Sequence, residues 1–140
     1  MKKLFVMAII IFSLKASFAQ PADEAAIRRV LNSQEADWNS GNIENFMKGY
    51  WASDSMIFIG KSLTYGWHQT LDNYKKRYPD TAAMGKLSFN LLEFEPLCPG
   101  YYFVVGKWHL LRSVGDLDGY FTLLFKRING RWVIIADHSS

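Results

Sequence analysis

The chain has 140 residues, with 16 Lys and Arg against 13 Asp and Glu, and a formal net charge of +3. Lys2, Lys3 and Lys15 belong to the first fifteen positions, so the rest of the chain is formally neutral, with 13 residues of each sign. Nucleic-acid binding needs a clustered basic face, and the one basic triplet, residues 75–77, fits the solvated side of a helix better. The single cysteine, Cys98, excludes an internal disulfide, and its turn-like setting favours a bystander thiol over a nucleophile.

Residues 1–19 are predicted to be a secretory signal peptide. A basic start precedes the apolar run Leu4–Leu14, and Ser17 and Ala19 place small residues before a cleavage point after Ala19. A membrane anchor is the alternative, but the run has about half of the ~20 residues that a helix needs to span a bilayer. The pattern therefore predicts one mature domain, residues 20–140, that is periplasmic or secreted and leaves the membrane after cleavage.

Three helices are predicted in the first half of the mature chain. The first spans Pro21 to Ser40, with Asp23 as N-cap, and ends at Gly41. Its apolar face follows from residues at helical spacing: Ile27, Val30, Leu31, Gln34 and Trp38. Asn42 caps a short second helix, which contains Ile43, Phe46 and Met47. A third helix carries an aromatic stripe and ends before Pro79: Trp67, Leu71, Tyr74 and Tyr78.

Strand signals dominate the second half. Two short strands, Ser55–Ile59 and Leu63–Tyr65, precede four longer ones: Lys86–Glu95, Tyr101–Arg112, Gly119–Ile128 and Arg131–His138. The apolar alternation changes phase at Leu91-Leu92, which predicts a β-bulge and a bend in the sheet. Asn129-Gly130 predicts a tight hairpin between the last two strands. Helices first and strands later indicate an α+β fold with an antiparallel, curved sheet.

Aromatic residues make up 16% of the chain, more than a small core requires. Many have a polar group on an apolar body, which suits a pocket that orients a ligand. Core packing is the alternative for any one of them. The candidate ligand-binding residues are Trp38, Tyr50, Phe58, Tyr65, Trp67, Tyr74, Trp108 and His138. The expected ligand is a small apolar or aromatic molecule with a polar head.

The last strand is the most informative segment. Its alternation places Trp132, Ile134, Ala136 and His138 on one face, and Asp137 on the other. If the first face looks inward, His138 is an imidazole at the edge of an apolar cavity, where it can bind a ligand's polar group. A structural histidine that closes the fold is the alternative.

Acid–base chemistry has two candidate residues besides His138. Glu35 lies one turn from Trp38, and Asp54 precedes the first strand; a carboxylate buried beside aromatic rings acquires a raised pKa. Both can equally be solvent-facing, as most acidic residues are. The three scattered histidines give no metal-site pattern, and no motif for a cofactor is present. We therefore expect neither a metal nor a cofactor.

The chain resembles the nuclear-transport-factor-2-like superfamily, which includes ketosteroid isomerases and SnoaL-type polyketide cyclases. Within it, the chain is similar to the branch of unknown function that resembles the association domain of calcium/calmodulin-dependent protein kinase. The resemblance covers nearly all of the mature chain and rests on four segments: residues 36–42, 56–60, 119–123 and 129–140. The last is the most specific, with Trp132, His138 and Ser140 in the family's places.

The resemblance implies a cone-shaped α+β fold, in which three helices pack on the concave face of a strongly curved sheet. It also implies a deep pocket between sheet and helices and, commonly, a homodimer formed through the sheet. It does not imply one reaction, because the isomerases use a Tyr and two acids that have no clear match here. Three functions stay open: a small-molecule-binding domain, an acid–base enzyme of isomerase, cyclase or dehydratase type with His138 or Glu35 as base, and a dimerisation or partner-binding module.

Overall fold

The computed structural model describes the backbone of residues 16–140 and the side chains of residues 20–140. In this part of the chain, four α-helices and six β-strands follow one another. The helices are α1 (Ala16–Asn39), α2 (Ile43–Phe46), α3 (Trp67–Arg77) and α4 (Thr81–Met84), and a 3-10 turn, Met47–Gly49, follows α2. The strands are β1 (Ile57–Ile59), β2 (Leu63–Tyr65), β3 (Lys86–Cys98), β4 (Tyr101–Leu111), β5 (Leu117–Ile128) and β6 (Arg131–Ser139).

The six strands form one curved, unclosed sheet in the order β2-β1-β6-β5-β4-β3, and the helices pack on it. This confirms the α+β prediction. Strands β3 to β6 are an antiparallel meander, but β1 pairs with β6 in parallel, with Phe58 opposite Asp137. The predicted antiparallel pairing therefore holds for β1 with β2 and for β3 to β6, whereas the β1–β6 pair is parallel. The meander returns β6 in the direction in which β1 already runs, so the two strands can pair only in parallel.

Helix α1 begins earlier than its sequence signals indicate. It continues through Pro21, although proline cannot donate the backbone hydrogen bond of a helix interior. Asp23 is therefore not an N-cap; its carboxylate accepts a hydrogen bond from Arg127 at 3.1 Å. At the other end, Gly41 adopts a positive φ of 79° and its N–H bonds to the carbonyl of Trp38, as the predicted cap requires.

Besides a register shift at the end of β3, at residues 96–98, two β-bulges lie within the strands of the sheet. In β3 the register shifts between Leu91 and Glu93, which leaves Leu92 as the extra residue and confirms the predicted bulge. In β6 a second shift leaves Ile135 between the paired residues Ile134 and Ala136. A bulge turns over the side chains that follow it. The second bulge was not expected, and it decides which end residues of β6 face the helices.

The core lies between the concave face of the sheet and helices α1 to α3. Trp38 is central to it, because its ring makes edge-to-face contacts with Phe46, Tyr74 and Tyr78 at centroid distances of 4.9–5.9 Å. Its indole N–H donates to the carbonyl of Met84 at 3.1 Å. Helix α1 is thereby fixed to the residues that precede β3, which holds one wall of the cavity described below.

The predicted signal peptide lies outside the part of the chain that the structure describes at side-chain level, and residues 1–15 lie outside it altogether. Among the described residues, no helix combines the length and the apolar character that crossing a bilayer requires.

Candidate ligand-binding site

A cavity of about 680 Å³ lies between the concave face of the sheet and the helices. This volume falls within the range of small-molecule sites in proteins, roughly 300–1,000 Å³. Most of its wall is apolar or aromatic: Leu31, Trp38, Phe46, Tyr50, Phe58, Tyr74, Tyr78, Leu87, Phe89, Trp108, Leu110, Phe121, Leu123 and Ile134. Because α1, α2, α3 and five of the strands contribute to this wall, the cavity is a product of the whole fold.

Six of the eight residues predicted from the sequence meet at this cavity: Trp38, Tyr50, Phe58, Tyr74, Trp108 and His138. They come from five different elements and from the segment after the 3-10 turn. The indole nitrogen of Trp108 is buried and has no hydrogen-bond partner among the described residues. A buried N–H without a partner is uncommon, and this one lies against Gly119 inside the wall rather than on the surface of the cavity.

The other sequence candidates lie elsewhere. Tyr65 is 61% exposed on β2, and the Trp67 indole donates to the carbonyl of Met47 at 2.8 Å. Glu35 lies at the seam between α1 and β3, where its carboxylate accepts the backbone N–H of Phe89 at 2.9 Å. Asp54 is exposed. Glu35 and Trp67 therefore join elements of the fold to one another, and neither lines the cavity.

The polar centre of the cavity is Asp137, which is only 4% exposed. Its carboxylate accepts hydrogen bonds from two hydroxyl groups, Tyr50 Oη at 2.7 Å and Ser139 Oγ at 2.7 Å. Tyr50 is held beside β6 because the backbone N–H of Trp51 donates to the carbonyl of Ile134. A buried carboxylate with two hydroxyl donors thus faces an otherwise apolar wall.

Burial dominates the electrostatics of this centre. It raises the pKa of Asp137 to about 6, against the opposing effects of the Ser139 and Tyr50 hydrogen bonds and the charge of His138. Burial also raises the pKa of Tyr50 well above its usual value, and the negative charge of Asp137 adds to this. Burial raises the pKa of the other two tyrosines of the cavity wall as well, so all three stay neutral hydrogen-bond donors at physiological pH.

The predicted face of β6 is wrong at its end. Trp132 and Ile134 are buried, as expected, but after the bulge at Ile135 it is Asp137 that points inward. His138 is exposed and contributes to the cavity from the rim. The sequence gives no visible sign of this bulge, since residues 133–136 are apolar on both parities and a change of phase leaves the pattern unaltered.

Sequence reasoning also missed the polar rim of the cavity. Lys61 from the β1–β2 turn and Lys76 and Arg77 from α3 line it, together with Asn73. Within the described residues, no group of three or more His, Cys, Asp or Glu side chains is placed to hold a metal ion.

Comparison with known proteins places this architecture. No family model matches the chain, and no curated protein matches it. Among solved structures, it is similar to a nuclear-transport-factor-2-like protein of unknown function from Shewanella oneidensis MR-1, with 40% identity and a TM-score of 0.80. That match covers 86% of this chain and 98% of the other. The chain belongs to the nuclear-transport-factor-2-like family.

More distant structures share the fold. A ketosteroid isomerase-like protein from Erwinia carotovora atroseptica has 13% identity and a TM-score of 0.64, over 83% of this chain and 93% of the other. A protein from Xanthomonas campestris that is named for the calcium/calmodulin-dependent protein kinase II association domain has 15% identity and a TM-score of 0.65, over 96% of both chains. The nuclear-transport-factor-2-like fold commonly binds small molecules.

Proposed function

We propose that this nuclear-transport-factor-2-like domain binds a small molecule with an apolar body and a hydrogen-bonding polar group. The observation that carries the proposal is the Asp137 carboxylate, buried in the wall of an apolar cavity of about 680 Å³. Burying a carboxylate costs stability unless hydrogen bonds or a partner charge compensate it, and among the described residues only two hydroxyl groups do so here. The apolar wall supplies affinity for the body of the ligand, and the carboxylate orients it.

The hydrogen-bond pattern at Asp137 favours a ligand group that donates. Each carboxylate oxygen has two lone pairs, and within the described residues each accepts one side-chain hydroxyl, from Tyr50 or from Ser139. One lone pair on each oxygen is left for a ligand hydroxyl or amine.

Export belongs to the same proposal. Cleavage after Ala19 retains Gln20, whose carbonyl accepts a hydrogen bond from the Tyr102 hydroxyl at 3.1 Å. The core contacts of the helix include Ala26 and Ile27, further along the chain. The domain, residues 20–140, is thus a suitable mature form for a periplasmic or secreted binding protein. The homodimer stays a prediction.

The experiment is a thermal-shift screen of small molecules, with N-phenyl-1-naphthylamine as a neutral fluorescent probe. The cavity variant is Leu123→Trp, which adds bulk to a buried lining residue. The matched control is Leu124→Trp, one residue later on the opposite face of β5. We expect ligands to raise the Tm of the wild type and of the control, but not of Leu123→Trp. Equal shifts in all three proteins, or none in any, contradict the proposal.

A second candidate function is proton transfer, and the raised pKa of Asp137 is the observation that favours it. A carboxyl group with a pKa of about 6 in an apolar cavity is suited to general acid–base catalysis. Asp137 then takes the role that the sequence suggested for His138 or Glu35, and Tyr50 is the neighbouring donor. The test is turnover of carbonyl compounds that have acidic C–H bonds. Turnover lost in Asp137→Asn but retained in His138→Ala supports catalysis, and turnover in neither the wild type nor the variants contradicts it.

A further inference from the structure

Three basic side chains surround the rim of the cavity. Lys61 comes from the turn between β1 and β2, and Lys76 and Arg77 come from the last turn of α3. Asn73 lies three residues before Lys76 and four before Arg77, so Asn73, Lys76 and Arg77 share one face of α3. This face is held against β2, because the Asn73 amide donates to Thr64 Oγ1 at 3.3 Å. The cations of α3 and of the turn are thereby brought to the same side of the cavity.

These cations have no carboxylate partners within the described residues, whereas the neighbouring Lys75 has one. Lys75 is ion-paired with Glu44 of α2 and does not line the cavity. With the side chains of residues 20–140, neither Lys76 nor Arg77 forms an ion pair within 4 Å, and the same holds for Lys61. The basic triplet of the sequence is thus divided in the fold. One member is neutralised on the outer side, and two are left at the cavity with their charge available.

The charge of Arg77 reaches the cavity wall. Its guanidinium lies 5.6 Å from the centre of the Tyr78 ring, which is part of that wall. Burial raises the pKa of the Tyr78 hydroxyl, and the positive charge of Arg77 is the largest influence that lowers it. A guanidinium so placed offers an oxyanion several N–H donors in a fixed plane.

Among the described residues, Asp137 is the only acidic side chain that lines the cavity, and it is buried while the cations are exposed. The two kinds of charge therefore lie at different depths. An anionic group is repelled from Asp137 and attracted to the rim, and an apolar body between them contacts the aromatic wall. This arrangement defines one orientation for a ligand.

We propose that the cavity selects small amphipathic anions, molecules with an apolar ring system and one oxyanion group such as a carboxylate or sulfonate. The anion lies among Lys61, Lys76 and Arg77, and the ring system enters the cavity toward Asp137. This inference rests on the proposed function and adds the charge class of the ligand to it.

The test uses two fluorescent probes that differ by a single anionic group: 8-anilinonaphthalene-1-sulfonate and the neutral N-phenyl-1-naphthylamine. Their Kd values are measured by titration with wild-type protein, with Arg77→Gln and with the variant in which Lys61, Lys76 and Arg77 are all changed to Gln. Lys75→Gln is the matched control, because it removes the same charge from the same helix outside the cavity. Unchanged Tm values establish that the variants are folded.

We expect the triple variant to weaken binding of the sulfonate about tenfold, which is the combined effect of three partly exposed charges. Arg77→Gln alone should account for about threefold of this. Binding of the neutral probe should be unchanged in all variants, and added salt should weaken only the sulfonate.

Two results overturn the inference, and they are distinguishable. If the neutral probe binds but the sulfonate responds to Lys75→Gln as much as to Arg77→Gln, the rim does not select anions, while the proposed function survives. If neither probe binds the folded wild type, the proposed function fails, and the inference fails with it.

Discussion

Polar side chains on the two sides of the cavity are used in different ways. On the α1 side they bond to the backbone: Gln34 donates to the carbonyl of Phe46 at 3.1 Å, and Trp38 donates to that of Met84. At the β6 end, Tyr50, Ser139 and Asp137 bond through their side chains to one another. A side chain that satisfies a backbone group cannot change partner without exposing that group, whereas hydroxyl groups around a carboxylate can rotate. The α1 side is therefore built to hold the fold, and the β6 end is built to accommodate a ligand.

Substitution of Trp38, on the α1 side, should give the largest change in stability. Trp38→Ala removes a buried ring that contacts Phe46, Tyr74 and Tyr78, and leaves the Met84 carbonyl without its donor. We expect the free energy of unfolding to fall by about 3–5 kcal/mol, from the lost contacts and the resulting cavity. Urea unfolding followed by circular dichroism measures this change.

Trp38→Phe is the control for Trp38→Ala, since it retains an aromatic ring and loses the indole N–H. Its expected cost is about 1–2 kcal/mol, mainly from the unsatisfied Met84 carbonyl. If both variants were within about 0.5 kcal/mol of the wild type, Trp38 would not be fixed by packing and by the backbone. The contrast between the two sides of the cavity would then be lost.

Asp137 should give the second-largest effect, and its sign depends on pH. Its pKa is raised from 3.8 to about 6 in the folded protein, so the folded state retains a proton that the unfolded chain has already released. Between about pH 4 and pH 6 this carboxyl group therefore makes the free energy of unfolding fall as pH rises, by roughly 2–3 kcal/mol in total. Below about pH 4 the carboxyl group is protonated in both states and does not lower the free energy of unfolding, and above about pH 6 the whole loss of stability is present.

Asp137→Asn removes this titration. We expect the variant to gain stability relative to the wild type from pH 4 to pH 7, in urea midpoints measured at each pH. Taking the difference between the two proteins cancels the acids whose pKa is lowered, Glu44 and Asp116, because they are common to both. A difference that is constant with pH would mean that Asp137 titrates normally and is not desolvated by the cavity.

Two bulges show how far the sequence predicts this site. The bulge at Leu92 was predictable because apolar and polar residues alternate on both sides of it, so the change of phase is visible. The bulge at Ile135 lies in an apolar run and leaves no trace in the pattern. It turns Asp137 into the cavity and His138 to the rim. The alternation of the sequence had instead placed His138 on the face of Trp132, and Asp137 on the opposite face.

The fold itself was predictable to a greater extent than the site. Caps and turns such as Asn42 and Asn129-Gly130 act locally, and the structure contains them as expected. The rim is different, because Lys61 and Arg77 are brought together only when β2 packs on α3. A short-range pattern does not encode that contact, which is why the basic triplet looked like an ordinary solvated helix face.

Substitutions of Glu35 should give the smallest of these effects, and they test directly whether Glu35 and Asp137 have different roles. Its oxygen accepts the N–H of Phe89, at the α1–β3 seam, and it does not line the cavity. Glu35→Ala should cost about 1–2 kcal/mol in urea unfolding, because a part-buried N–H loses its acceptor. Glu35→Gln keeps an amide oxygen for that N–H, so it should stay within about 0.5 kcal/mol of the wild type. Neither change should alter the Kd of N-phenyl-1-naphthylamine, whereas Leu123→Trp should abolish its binding. Loss of probe affinity in Glu35→Gln, with stability intact, would instead place this carboxylate in the ligand site and remove the distinction between the two sides of the cavity.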